Sequence, residues 1–203
     1  KYYASLILWK KEQIDQAKEL ILACGEEPGF FPFYLSKAKL FKENKTLVKA
    51  SLEKAKAINP DNWRVNLALV DQYINDKNYT LAAKTAKKSY LKNKDLSIMG
   101  MRYASALLKE KKHKQSLDFL ENFEVIPFEG ATEGREIYNQ AAISLAFNEL
   151  KKGKFKVAIQ YVEKAKLWPK NLGAGKPFNP DERLENAILV YCYEQLNNKG
   201  EAA

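Results

Sequence analysis

The sequence has little of the chemistry on which most enzymes and metal proteins depend. Its 203 residues include one histidine, His113, and two cysteines, Cys24 and Cys192. A zinc site with four nitrogen or sulfur ligands needs more such groups, and a disulfide-rich secreted domain needs many more cysteines. We therefore expect no metal, no cofactor and two free, buried thiols. The cysteines leave the cellular compartment open, with the cytoplasm slightly favoured over the periplasm.

Long apolar runs are also absent, and glycine and proline are scarce, with nine and seven residues. The longest apolar run, Tyr2 to Trp9, is far shorter than the roughly 18 residues that a membrane helix needs. A content of 46% apolar and 12% aromatic residues instead predicts a folded chain of one domain or two small ones. Residue 1 is lysine and no signal-peptide pattern follows it, so we expect a fragment of a longer chain.

The positive charge is concentrated in one zone. Between Lys77 and Lys114 the sequence has eleven basic residues against Asp95 and Glu110, a sum of +9 that equals the net charge of the whole chain. The remainder is balanced, which predicts a local basic patch. Within it, Lys84, Lys87, Lys88 and Lys92 have helical spacing, as on the outer face of a solvated helix, and Tyr90 is the one aromatic residue interleaved with these four. RNA binding through zone 77–114 is therefore kept as an alternative function, although nucleic acid is disfavoured as a partner compared with protein.

An internal repeat organises the chain. Ala82 lies 34 residues after Val48 and 34 residues before Ser116. The same offset superimposes Leu52, Ala86 and Leu120, then Ala55, Ser89 and Phe123, and further upstream Leu35, Leu69 and Tyr103. A fourth unit containing Gly153, Ala158 and Ala165 fits after an insertion of eight residues. A fixed period of this length is typical of stacked helical hairpins, in which small residues such as Ala82 and Ala158 occupy the helix crossings.

Helix boundaries can be predicted from capping residues. Asn59-Pro60 and Asn179-Pro180 each offer an N-cap residue followed by proline, which is favoured at the first helical position. Both pairs are predicted to begin helices.

The repeat resembles the tetratricopeptide repeat (TPR). The matching segments are Lys151 to Ala165 and Ala55-Lys-Ala-Ile-Asn-Pro60, while Gly100 stands where the pattern usually has a large aromatic residue. The resemblance implies an all-α, right-handed α-solenoid. We expect hairpins at about 1–27, 28–60, 61–94, 95–128 and 132–168, followed by a terminal helix at 180–198. Residues 125–185 also look like a group of large bacterial TPR proteins with an upstream β-rich domain suspected of handling carbohydrate.

The resemblance further implies a non-catalytic protein-interaction scaffold that binds a peptide, or another domain of its own polypeptide, in a concave groove. The first helix of each repeat lines that groove in the family. The corresponding residues here are Phe33, Lys37, Phe41, Arg64, Leu67, Asp71, Asn75, Met101, Ser105, Lys109, Gln140, Phe147 and Lys151. The lysine and asparagine clamp of the chaperone-binding members is not reproduced, because Phe33 and Lys37 stand at its positions. A scaffold for an upstream carbohydrate-active domain is a further alternative.

Two features that could suggest catalysis have simpler explanations. Gly173-Ala-Gly175-Lys176 lacks both the earlier glycine and the following Ser or Thr of a phosphate-binding loop, and a helix rather than a strand is predicted before it. His113 stands at the turn position that Tyr79 and Phe155 occupy in neighbouring repeats, which predicts a packing role. We therefore expect no enzymatic activity.

The segment from Leu167 to Pro180 has too many apolar residues for a plain linker. We expect an ordered loop in which large side chains pack against the fourth hairpin, with Trp168 largely buried. Lys176 is then expected to be free to reach solvent or a partner.

Overall fold

The structure, a computed structural model, describes residues 1–25, 29–127 and 131–197. Within these residues it is all-helical, with eleven α-helices and one short 3-10 turn and no strand, which confirms the predicted all-α class. The helices are α1 (Tyr2–Lys10), α2 (Ile14–Leu22), α3 (Phe31–Leu40), α4 (Lys45–Ile58), α5 (Trp63–Asn75), α6 (Tyr79–Lys92), α7 (Ser97–Lys109), α8 (His113–Glu121), α9 (Glu133–Leu150), α10 (Phe155–Lys166) and α11 (Arg183–Gln195), and the 3-10 turn is Lys170–Leu172.

The chain divides into two compact units, residues 1–75 and residues 76–203. The predicted hairpin 61–94 has α5 in the first unit and α6 in the second. The pairing of these two helices therefore stays a prediction. The predicted boundaries at residues 27, 28, 128 and 198 lie outside the described residues.

The first unit contains helices α1 to α5. Helix α1 packs on α2 and α3 packs on α4, while α5 packs on both α3 and α4. Its core includes Ile21, Phe33 and Val65, each almost completely buried. Because Ser5 is also fully buried, its hydroxyl needs a partner, and Oγ donates to the carbonyl of Ala17 at 2.8 Å. This hydrogen bond ties α1 to α2.

The second unit contains helices α6 to α11. Helix α6 packs on α7, α7 on both α8 and α9, α9 on α8 and α10, and α10 on α11. Leu117, Leu120, Phe123 and Tyr138 belong to its buried core. The buried Ser116 donates from Oγ to the carbonyl of Ala104 at 2.9 Å, which joins α8 to α7 as Ser5 joins α1 to α2.

Most of the residues that the 34-residue offset superimposes are buried, while Leu35 and Tyr103 are half-buried. Val48, Ala82 and Ser116 are all in the interior, and so is Ala158 of the fourth repeat. Ala82 and Ala158 have no exposed surface, as predicted for small residues at close helix contacts.

The predicted start of α5 is wrong by three residues. The helix begins at Trp63 rather than at Pro60, and the carboxamide Oδ1 of Asn62 accepts a hydrogen bond from the backbone N–H of Arg64 at 2.9 Å. A side-chain acceptor beside the first free amides determines where the helix starts.

The start of α11 differs from prediction in the same way. It begins at Arg183 rather than at Pro180, and Asp181 Oδ1 accepts from the backbone N–H of Arg183 at 3.2 Å. In contrast, Asn44 and Asn78 directly precede α4 and α6 and accept from Leu47 and Leu81, respectively.

The structure explains why glycine stands at position 100. A Cβ atom built on Gly100 would lie 2.3 Å from Cε2 and 2.5 Å from Cζ of Phe123. The ring of Phe123, from the end of α8, therefore fills the volume where the repeat pattern usually has an aromatic residue on the first helix.

Candidate binding surface

The predicted groove residues are divided between the two units. Phe33, Lys37, Phe41, Arg64, Leu67, Asp71 and Asn75 lie in the first unit, and Met101, Ser105, Lys109, Gln140, Phe147 and Lys151 lie in the second. The first set lies on α3 and α5 or at their ends, and the second on α7 and α9 or at their ends. Because α3 contacts α5 and α7 contacts α9, each set comes from neighbouring helices. A groove shared by all thirteen stays a prediction.

Two of the thirteen side chains are not available to a partner. Phe33 is 1% exposed and packs edge-on against the ring of Tyr34, with 5.1 Å between centroids. Met101 is also buried in the core of its unit. Their burial shows that repeat position alone does not predict which side chains reach the surface.

Helix α9 presents the clearest exposed row. Glu136, Gln140, Phe147 and Lys151 are exposed, and their spacing of four, seven and four residues places them on one face. We call this row the α9 surface. Phe147 is the large apolar side chain of this row, and it is 42% exposed.

A pocket of about 350 Å³ adjoins the N-terminal half of the α9 surface. Thr132, Arg135, Glu136, Asn139 and Gln140 form one wall, and Trp168, Pro177, Asn179, Pro180, Asp181, Glu182 and Glu185 form the other. We call it the α9–α11 pocket. Gln140 is the residue that belongs both to this pocket and to the predicted groove set.

A buried polar network forms the floor of the pocket. Arg135 Nη2 donates to the carbonyl of Ala165 at 2.6 Å, and Asn139 Nδ2 donates to the same carbonyl at 3.1 Å. The carbonyl belongs to the last turn of α10, where backbone oxygens lack helical partners, so the two side chains cap that helix. Asn139 Nδ2 also donates to Glu185 Oε1 at 2.6 Å, which connects α9 to α11.

Arg135 and Trp168 form a stacked pair. The guanidinium carbon lies 4.5 Å from the centroid of the Trp168 ring, a cation–π contact. Burial lowers the pKa of Arg135, and the negative charge of Glu185 opposes that shift. Arg135 Nε and Trp168 Nε1 are covered by protein atoms and have no hydrogen-bond partner in the described structure. Most of the Trp168 side chain is buried, as predicted, and its ring also lines the pocket.

The cations around the pocket rim are engaged by carboxylates. Glu182 pairs with Lys166 at 3.2 Å and with Lys176 at 3.6 Å. The side chain of Lys176 is 55% exposed, so it reaches solvent as predicted while it also meets this carboxylate. Arg183 hydrogen-bonds Asp181 and lowers the pKa of that carboxyl to about 2.

The segment between α10 and α11 is tied to the end of α8. Asn171 Nδ2 donates to the carbonyls of Leu120 at 2.9 Å and Phe123 at 2.7 Å, and Leu172 is 1% exposed. These contacts agree with the predicted ordered loop. Phe178, in contrast, is 98% exposed, so that large side chain does not pack against the hairpin.

Sequence reasoning missed Arg135, Asn139 and Glu185. The spacing of Arg135 and Asn139 places both on one turn of α9, but nothing in it indicates a shared acceptor 26 or 30 residues later. Glu185, an acidic residue in a first helical turn, would ordinarily be assigned to the helix dipole.

Three further features of the sequence concern membrane helices, metal ligands and His113. Over residues 1–25, 29–127 and 131–197, no helix combines the length and apolarity needed to cross a bilayer. Over the same residues, no three His, Cys, Asp or Glu side chains are grouped as metal ligands. His113 is half-buried, and burial and then the charge of Lys111 lower its pKa.

The basic zone is partly neutralised. Lys84 and Lys88 are exposed on α6, while the ammonium of Lys87 lies 5.7 Å from the centroid of the Tyr103 ring. Three basic residues of the zone are in ion pairs, Arg102 with Glu133, Lys112 with Glu110 and Lys114 with Asp118.

Similarity to solved structures supports the repeat fold. PilW, a type IV pilus biogenesis factor, superimposes with a TM-score of 0.54 at 14% identity over 99% of this chain and 86% of its own. PilF of Pseudomonas aeruginosa gives a TM-score of 0.55 at 16% identity over 99% and 85%. A point mutant of MamA gives 0.57 at 19% identity over 81% and 92%.

These neighbours contain TPRs, and at such low identity they establish the fold alone. The chain therefore has a helical-repeat fold of the TPR type. No protein-family model matches the sequence, and no curated protein sequence is significantly similar to it.

Proposed function

We propose that the chain is a non-catalytic interaction module that binds a protein or peptide segment along the α9 surface and the adjoining α9–α11 pocket. The observation that supports this most directly is the continuity of the two features. Gln140 lines the pocket, and the exposed Phe147 lies two turns further along the same helix face. An extended segment could place one side chain in the pocket and a second against Phe147.

The buried network beneath the surface supports the same proposal. Arg135, Asn139 and Glu185 hold α9, the end of α10 and α11 together through hydrogen bonds. A surface supported in this way is preorganised, so a partner spends little free energy on ordering it.

The experiment is a selection of displayed random peptides on the full chain, followed by fluorescence anisotropy of the selected peptides. Phe147→Ala and Gln140→Ala should each weaken binding about fivefold or more, as for residues at the centre of an interface. Leu91→Ala is the matched control, because Leu91 is an exposed apolar residue on α6. Failure to select any peptide, or equal binding by all three variants and the parent, would contradict the proposal.

RNA binding through zone 77–114 remains the second candidate, supported by the exposed Lys84 and Lys88. Phosphate contacts would make the affinity for single-stranded RNA fall steeply with salt. A scaffold role for an upstream carbohydrate-active domain stays a prediction from the resemblance.

A further inference from the structure

We infer that the α9–α11 pocket accepts the side chain of a lysine or arginine from the bound segment. This inference rests on the proposed function and specifies what the pocket recognises. Its basis is the carboxylate of Glu136, which has no partner among the described residues and lies beside an apolar wall of the pocket.

The charged donors around the pocket are already engaged. Arg135 donates to the Ala165 carbonyl, and Asn139 donates to that carbonyl and to Glu185. The rim cations are paired with Glu182 and Asp181. The two donors without partners, Arg135 Nε and Trp168 Nε1, are covered by protein atoms and do not reach the pocket space.

Four carboxylates line the pocket, those of Glu136, Asp181, Glu182 and Glu185. Three of them are engaged: Asp181 accepts from Arg183, Glu182 pairs with Lys166 and Lys176, and Glu185 accepts from Asn139. Glu136 is exposed, and its carboxylate has no hydrogen bond or ion pair with any residue that the structure describes. Gln140 adds a neutral carboxamide beside it. A ligand that donates hydrogen bonds and is positively charged can pair with the carboxylate of Glu136, which is the one of the four without a partner among the residues that the structure describes.

The apolar part of the pocket fits the stem of the same side chain. The Trp168 ring, Pro177 and Pro180 line it together with the carboxylates. Lysine and arginine combine an aliphatic stem with a charged end, and they commonly bury the stem against apolar surface while the end meets polar groups. A volume of about 350 Å³ is near the lower end for ligand pockets, which suits a single side chain.

The test uses four capped tripeptides, Ac-Gly-X-Gly-NH2, with arginine, lysine, glutamine or glutamate at X. The readout is the indole N–H resonance of Trp168 in the full chain at physiological salt, assigned with Trp168→Phe. The arginine and lysine peptides should shift this resonance saturably. The glutamine and glutamate peptides should leave it unchanged at the same concentrations.

Glu136→Gln should weaken binding of the arginine peptide about threefold to fivefold, as expected for the loss of one partly solvated ion pair. Glu163→Gln is the matched control, since Glu163 is exposed on α10 outside the pocket lining. The inference is overturned if the glutamate or glutamine peptide shifts the resonance as strongly, if no peptide shifts it, or if Glu136→Gln has no effect.

The peptide selection separates this inference from the proposed function. Selected peptides that depend on Phe147 but contain no common basic residue would keep the function and refute the pocket assignment. If basic tripeptides bind the pocket while the selection yields no peptide, the pocket assignment is kept and the proposed function is refuted.

Discussion

The packing of Phe123 against Gly100 predicts that Gly100→Ala destabilises the protein when Phe123 is present and stabilises it when Phe123 is replaced by leucine. In Gly100→Ala the new Cβ would lie 2.3 Å from Cε2 and 2.5 Å from Cζ of the ring. The ring cannot easily move, because Phe123 is 1% exposed and packs against Phe119 at 5.0 Å and Tyr90 at 5.6 Å. Overpacking of this kind costs about 1–3 kcal/mol, and replacing a helical glycine by alanine returns about 0.5–1 kcal/mol. We therefore expect a net destabilisation of about 1–2 kcal/mol.

The sign should reverse once the ring is shortened. Phe123→Leu removes the two ring atoms that lie closest to the new methyl group, at the expense of buried contacts worth on the order of 1–2 kcal/mol. In that background Gly100→Ala should stabilise the protein by up to about 1 kcal/mol, because the gain in helix propensity then outweighs the one remaining close contact, at the Cδ2 position 3.1 Å away. The coupling between the two positions is then about 2 kcal/mol.

The assay must report on the second unit alone, since a chain of two units need not unfold in one step. Replacing Trp9 and Trp63 by phenylalanine leaves Trp168, in the second unit, as the one tryptophan of the sequence. Urea titrations followed by its fluorescence give the four free energies of unfolding. Additive effects, or a parent that is stabilised by Gly100→Ala, would show that Phe123 does not restrict position 100.

Three other predictions follow from local chemistry. The lowered pKa of His113 means that the unfolded chain binds its proton more tightly, so stability should be full above about pH 6.5 and fall below it, and His113→Gln should flatten that part of the stability profile. Lys111 has a φ of 63°, so Lys111→Gly should raise the urea midpoint, with a gain of up to about 1 kcal/mol. Burial raises the pKa of the Cys192 thiol, so at neutral pH a disulfide reagent should label Cys24 first in timed mass spectrometry, and urea should remove the difference.

The sequence alone predicts the features that depend on the regular spacing of the repeats. Ala82 and Ala158 were predicted at helix contacts because a period of 34 residues returns the same face of each hairpin to its neighbour, and both are fully buried. The helix starts were predicted less well. Asn59-Pro60 satisfies the preference for an N-cap followed by proline, yet Asn62 provides the acceptor that the first free amides use.

The candidate site was beyond sequence reasoning because it depends on contacts between distant residues. Gly100 departs from the repeat pattern because Phe123, 23 residues later, fills the volume beside it. The α9–α11 pocket likewise requires the segment after α10 to return to α9. Asn171 holds that segment through two carbonyls near the end of α8, a role that an isolated asparagine in a loop does not reveal.

Loss of the Arg135 charge alone should destabilise the protein more than loss of the Arg135 and Glu185 charges together. Arg135 is 8% exposed and interacts electrostatically with Glu185, which is 6% exposed. Arg135→Met keeps much of the packing on Trp168 but leaves a buried carboxylate without its cation, for which a cost of about 3–5 kcal/mol is typical. Adding Glu185→Gln should recover a large part of that loss, because a neutral carboxamide can still accept from Asn139. Trp168 fluorescence in urea measures both variants, and a double variant that is less stable than Arg135→Met would show that Arg135 contributes packing and hydrogen bonds rather than charge compensation.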